Sequence, residues 1–260
     1  MYRVLKYSIY DLMRSRWTYI YSAFYFLFTL ALLLLSDDMS KVVISLMNII
    51  LFLCPLIATM FGIMYYYNSR EFTELLLALP LPRRHIFLGQ YLGLAISLSV
   101  SMLLGIGIPF ITYGIFGSPE IWNFSMLLVT GTFLSFIFAG IAYLIGLGYE
   151  NKIKGFGFAI LLWLFFAVIY DGIFLLAMSY FKEYPLDKFA IIASILNPID
   201  LSRILILLKL DISALMGYTG AVFDKFLGSE IGMVVSMLTL VLWVVIPVLF
   251  ILRMARSKDF

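Results

Sequence analysis

Residues 42–67 read VVISLMNIILFLCPLIATMFGIMYYY, 26 residues without one charged side chain. A helix rises about 1.5 Å per residue and a bilayer core is about 30 Å thick, so roughly 20 apolar residues cross it. This stretch is long enough to tilt or to emerge from the membrane. Five more runs of the same kind follow or precede it, at residues 17–35, 86–116, 121–148, 156–180 and 231–252. The runs lack period-two alternation, and inside lipid only helices or closed barrels satisfy the backbone. The expected fold is therefore an all-α membrane protein with six transmembrane helices. The composition agrees: 63% of residues are hydrophobic, 13% are charged, and the mean hydropathy is +1.05. No stretch is left for a soluble catalytic domain. Trp17 is not preceded by a cleavable signal pattern, so the first helix is expected to be retained.

The basic residues orient the bundle. Twelve Lys and Arg fall on the side that holds residues 1–16, the 68–85 loop, the 149–155 loop and the C-terminal tail, against six on the other side. By the positive-inside rule both termini are cytoplasmic. A seventh crossing at residues 189–210 would put Arg253, Arg256 and Lys258 outside, and Asn197, Pro198, Asp200 and Arg203 in lipid. The net charge of +3 comes without a dense basic patch, so nucleic acid is not an expected partner.

Three segments outside the main runs carry information. Residues 1–16 place Leu5, Ile9, Leu12 and Met13 on one face and Arg3, Lys6, Asp11 and Arg14 on the other, the pattern of an interfacial helix. Residues 181–230 hold an apolar stretch at 189–196 and then Asn197-Pro198-Ile199-Asp200. Asn197 can cap a helix, Pro198 suits its first position, and Asp200 favours its positive end. That helix runs to about residue 210, too short to span, with Leu201, Ile204, Leu205 and Leu208 on one stripe. A helix–turn–helix hugging the outer surface or dipping into it is expected. In the cytoplasmic loop, a short helix over residues 70–79 would align Glu71, Leu75 and Ala78 with Glu74 beside them, and Pro80 and Pro82 would stop it. A rigid amphipathic helix between two spans can dock into a groove on a soluble protein and pass its movement to both.

Within the spans, Pro55, Pro109 and Pro247 are candidate kinks. Gly89 and Gly93 are spaced for close helix contact. Asp171 is the one acid deep in a span, and its reading stays open between a structural hydrogen bond and a role in the pathway. Asn48 and Gln90 raise the same question more weakly. Cys54 is the only cysteine and His85 the only histidine, so neither a disulfide nor a zinc site is expected. The Met60/Met64 and Met233/Met237 pairs have the thioether chemistry for Cu(I), but methionine is also a common filler of apolar helices. No Gly-x-x-x-x-Gly-Lys-Ser/Thr loop exists to cradle ATP phosphates.

Glu71, Thr73 and Glu74, followed by Leu76-Leu77-Ala78-Leu79-Pro80-Leu81 and the pair Arg83-Arg84, resemble the coupling helix of ABC-2-type ABC transporter permeases. That resemblance covers essentially the whole chain. It implies a single permease domain over residues 1–260, with an N-terminal interfacial helix, a cytoplasmic coupling helix and an extracytoplasmic re-entrant hairpin. The ATPase-coupling residues would be Arg70, Glu71, Thr73, Glu74, Leu75, Leu79, Arg83 and Arg84. It also implies a homodimer in the cytoplasmic membrane of a bacterium or archaeon. Two copies of a separate cytoplasmic ATPase would carry ATP and Mg, and the chain itself would carry no catalytic residue, metal or cofactor. Asn197-Pro198-Ile199-Asp200-Leu201-x-Arg203, with the segment from Asp211 to Phe223, is similar to the membrane subunit of transporters that mature nitrous-oxide reductase. This implies work on a copper centre and an extracytoplasmic copper-handling partner, with Arg203, Tyr218 and Phe223 as its expected contacts and Asp171 as a possible pathway residue. A generic ABC-2 exporter of a drug, lipid or polysaccharide is the alternative. An intramembrane enzyme would need paired polar groups at membrane depth, and a passive anchor would not need the loop helix.

Overall fold

The computed structural model describes residues 1–36, 38–181, 187–209 and 230–257. Among the described residues all regular structure is helical. Helix α1 (Tyr2–Arg14) gives way to α2 (Arg16–Leu35) at Ser15, whose extended backbone breaks the helix. Thr18 Oγ1 donates across the break to the Leu12 carbonyl at 2.7 Å. Helix α3 (Met39–Asn68) is capped by Asp38, which accepts from the Ser40 amide at 3.0 Å. The short α4 (Arg70–Leu77) leads to α5 (Arg83–Thr112) and α6 (Ile121–Gly148). The fifth apolar run consists of α7 (Lys152–Leu164), one wide turn at Phe165–Ile169, and α8 (Tyr170–Tyr180). Then come α9 (Asp187–Leu196), α10 (Pro198–Lys209) and α11 (Glu230–Ser257).

Six of these stretches are long and apolar enough to cross a bilayer: Arg16–Leu35, Met39–Asn68, Arg83–Thr112, Ile121–Gly148, Lys152–Tyr180 and Gly232–Arg256. They match the six expected runs. The third ends earlier than expected, because Gly114 adopts φ 81° and a tight turn at Ile115–Gly117 follows. Helices α9 and α10 meet at 114°, so they make a corner and not one straight crossing.

Lipid tails are as apolar as leucine, so helix association in a membrane relies on close packing at small residues. Two helices supply such seams. On α6, Gly131 and Ser135 face α3, where Cys54 Sγ lies 3.4 Å from the Gly131 carbonyl and 3.0 Å from Ser135 Oγ. Two turns on, a Cβ at Gly62 of α3 would sit 2.7 Å from Ala142 Cβ. On α5, a Cβ at Gly89 would sit 3.0 Å from Val4 Cβ, and one at Gly93 would sit 2.5 Å from Ser8 Cβ. The glycine pair expected to make a close helix contact does so, and its neighbour is α1. Further along the same line of α5, Gly105 receives Ser22 and Tyr25 of α2. Helices α1 and α2 thus follow α5 one after the other. Val4 and Leu12 face inward as an apolar face requires, with Leu5, Ile9 and Met13 half-buried beside them.

Burial sorts the helices into centre and perimeter. The apolar windows of α3, α5 and α6 are 56%, 67% and 61% buried, against 11% for Lys152–Tyr180 and 22% for Gly232–Arg256. The perimeter helices show broad apolar faces, which suit lipid or another membrane helix. Helix α10 is enclosed: Leu201, Ser202, Ile204, Leu205 and Ile206 are all buried, and the helix packs on α6, α11 and α3. The ends of the bundle are distinct. At one end Glu120 accepts from Ser40 Oγ at 2.9 Å and from Asn123 Nδ2 at 2.6 Å, tying the starts of α3 and α6. At the other, Tyr67 OH donates to the Tyr149 carbonyl at 2.7 Å, and Arg83, Arg84 and Arg256 converge. Val4 sits at Gly89, near this second end. Both described termini are therefore at the end that carries α4.

Candidate functional site

Two places combine polar chemistry with fixed geometry. The first is α4. It starts directly after α3, with Ser69 between them, and stops at Leu77, two residues short of the expected end. Pro80 disfavours helical backbone at residue 79, and Pro82 repeats the block. The last bonds taper accordingly, with the Leu79 amide donating to the Leu76 carbonyl at 3.2 Å.

The outward face of α4 is the one its spacing foretells. Glu71, Glu74, Leu75, Ala78 and Leu79 are exposed, and Leu75 retains 70% of its surface. Leu79, 52% exposed, lies one turn further on, so the bare face carries two apolar side chains between its charges. Arg70 Nε donates to Glu74 Oε1 at 3.0 Å one turn away, which stiffens the face. Arg83 and Arg84 stand exposed at the foot of α5, lining a cavity with Arg256 of α11.

Thr73 points the other way. It is buried, and its hydroxyl donates to the Ser69 carbonyl at 2.7 Å. Gln90 Nε2 of α5 donates to Thr73 Oγ1 at 2.9 Å, and Tyr143 OH of α6 donates to Gln90 Oε1 at 2.6 Å. Phe72 stacks on Tyr7 of α1, with ring centroids 4.7 Å apart. So α4 is clamped to α1 and α5 on one side, and through Gln90 to α6, and is bare on the other. Of the residues expected to couple, Thr73 alone is turned away from the bare face.

The second place is the corner between α9 and α10. Asn197 caps α10 as expected, its Oδ1 accepting from the Ile199 amide at 3.1 Å. Its Nδ2 donates to Asp200 Oδ2 and to the Phe166 carbonyl, both at 3.0 Å. Phe166 lies in the wide turn of the fifth span, where the Tyr170 amide reaches back five residues to the Phe165 carbonyl. Such a turn leaves one carbonyl without its usual helical partner. Arg203 donates from one nitrogen to Asp171 Oδ2 at 3.0 Å and to Asp200 Oδ1 at 3.1 Å. Tyr170 OH and Trp243 Nε1 close the corner by donating to the Ala193 and Ile195 carbonyls at 2.6 and 3.1 Å.

Asp171 and Arg203 were separate expectations, one for the pathway and one for an outer partner. The structure brings them together as an ion pair, joined by Asp200. Tyr218 and Phe223, the turn at residues 217–220 and the rest of the 211–223 segment lie outside the described residues. The wide turn and the Thr73–Gln90–Tyr143 chain were not expected. Gln90 as a polar residue inside a span was the one available signal for the latter.

Comparisons with known proteins supply the family. Residues 31–256 match a family model described as "ABC-2 family transporter protein". The chain is 26% identical over 224 residues to the "Probable ABC transporter permease protein NosY" of Stutzerimonas stutzeri, covering 82% of this chain and 79% of that protein. It is 29% identical over 183 residues to the protein of the same description from Pseudomonas aeruginosa, covering 67% of this chain and 66% of that one.

Proposed function

The chain belongs to the ABC-2 transporter family as a multi-pass membrane permease, and from that premise we propose that α4 is the coupling helix on which a separate ABC ATPase acts. One observation carries this reading. Glu71, Glu74, Leu75 and Leu79 form a bare amphipathic face on a helix whose other side is locked into the bundle. A groove on a soluble partner could take Leu75 and Leu79 as apolar anchors, with the two glutamates and Arg84 setting the register. ATP and Mg would be held by that partner.

The rest of the proposal follows the same premise. The end bearing α4 and both described termini faces the cytoplasm, in line with the excess of Lys and Arg there. Residues 1–260 form one permease domain in a bacterial or archaeal cytoplasmic membrane, and two copies pair. Helix α1 sits at the cytoplasmic boundary, and α9–α10 forms a re-entrant hairpin at the outer side. The relatives named NosY and the Asn197–Arg203 motif support a role in copper-centre assembly of nitrous-oxide reductase, with an extracytoplasmic copper-handling partner. Contact with that partner would fall to Arg203, which Asp171 and Asp200 hold in place, and to Tyr218 and Phe223.

Affinity purification of the tagged permease, co-expressed with its ATPase, tests the coupling reading. Glu74→Arg and Leu75→Asp should insert normally and lose the ATPase. Full retention of the ATPase by both variants would remove α4 from the interface.

A further inference from the structure

A helix that receives force must pass it on, and α4 is joined to the bundle by one continuous hydrogen-bond chain. Tyr143 O–H of α6 donates to Gln90 Oε1, Gln90 N–H of α5 donates to Thr73 Oγ1, and Thr73 O–H donates to the Ser69 carbonyl at the α3–α4 junction. The distances are 2.6, 2.9 and 2.7 Å. The Ser69 contact fixes the direction of the chain. Thr73 spends its only proton there, so it must accept from Gln90, which in turn leaves Gln90 Oε1 for Tyr143. Gln90 and Tyr143 have no exposed surface and Thr73 has 4%. Without water to replace a lost partner, each bond is hard to give up. Tyr143 also meets Tyr66 of α3 edge to face, with centroids 5.4 Å apart.

We infer that Thr73, Gln90 and Tyr143 are the transmission of this permease: positioning residues that make α4, the foot of α5 and the cytoplasmic half of α6 move as one body. Any swing of α4 relative to α5 would strand buried donors and acceptors. The displacement is therefore handed to two long spans, whose far ends lie about 30 Å or more away at 1.5 Å per residue. The inference deepens the coupling reading and rests on it for the source of the force. It differs in the residues: the ATPase-facing side chains are outward, and these three are inward.

Spin labels at Ala78 and Glu150, in a Cys54→Ser background with labelled chains diluted among unlabelled ones, read the distance between α4 and α6. The wild type should give one narrow distribution, unchanged by ATP when the ATPase is bound. Thr73→Val, Gln90→Leu and Tyr143→Phe should each at least double its width, with or without ATPase, while still co-purifying with the ATPase. Thr73→Ser keeps the hydroxyl and should stay narrow. Distributions as narrow as wild type in Gln90→Leu and Tyr143→Phe would overturn the inference. So would a Thr73→Ser variant as broad as Thr73→Val, since packing and not the hydroxyl would then be at work. Loss of the coupling reading looks different: Glu74→Arg would retain the ATPase, whatever the label distances show.

Discussion

Arg203 places one positive charge between two carboxylates, Asp171 at 3.0 Å and Asp200 at 3.1 Å. One cation thus serves two carboxyl groups, so the members of the cluster are not equivalent. Removing Asp171 leaves a balanced Arg203–Asp200 pair. Removing Arg203 leaves two carboxyl groups without a cation in a poorly solvated corner. Breaking a buried pair costs about 3–5 kcal/mol, and the one-third exposure of the Arg203 side chain puts this case at the lower end. Arg203→Met should destabilise the protein by about 3 kcal/mol and Asp171→Asn by about 1 kcal/mol or less. Denaturant unfolding in detergent micelles checks the order, and an equal or reversed order would contradict it. Each residue was legible alone. Asp171 stood out as an acid in an apolar run, and Asn197 as a helix cap. Their joining was not legible, because residues 171 and 203 are separated by a corner that no periodicity encodes.

At the level of elements, the sequence pattern spoke clearly wherever one helix face had one job. The outward face of α4 and the stop before Pro80 follow from spacing and backbone sterics. The glycines at 89 and 93 announced a close contact, but not that α1 would supply the neighbour. Gly93→Leu should force α1 off α5, since even a Cβ there would sit 2.5 Å from Ser8 Cβ. Overpacking of this kind costs about 1–3 kcal/mol, and limited proteolysis should then cut within residues 2–14. Gly107→Leu is the control, because nothing lies within 4 Å of a Cβ at that position. Equal protease resistance of both variants would mean that α1 is not seated on α5. The wide turn at Phe165–Ile169 was hidden, because its residues are as apolar as those around it. Among the described residues, the distant Asn197 side-chain amide bonds to the Phe166 carbonyl and gives the turn a partner.

For the molecule as a whole, six apolar runs were enough to read the helical bundle, and the lopsided distribution of basic residues carries the proposed even number of crossings. The grouping of α3, α5 and α6 at the centre was not readable, since all six runs are about equally apolar and only the small-residue seams distinguish them. The orientation has its own check: a cysteine at Ser118 should react with an impermeant thiol reagent from outside intact cells, and one at Lys258 should not. Labelling of both positions from outside would require an odd number of crossings, and labelling of 258 alone an inverted bundle. The central claim is that a separate ATPase grips this permease through α4. A photo-crosslinking amino acid at Leu75, exposed over 70% of its surface, tests it most directly. After irradiation in cells, mass spectrometry of the crosslinked product should identify a chain containing a Gly-x-x-x-x-Gly-Lys-Ser/Thr loop, and the same probe at Ser118 should capture none. A Leu75 probe that captures no such chain, or a Ser118 probe that captures it equally well, would contradict the account.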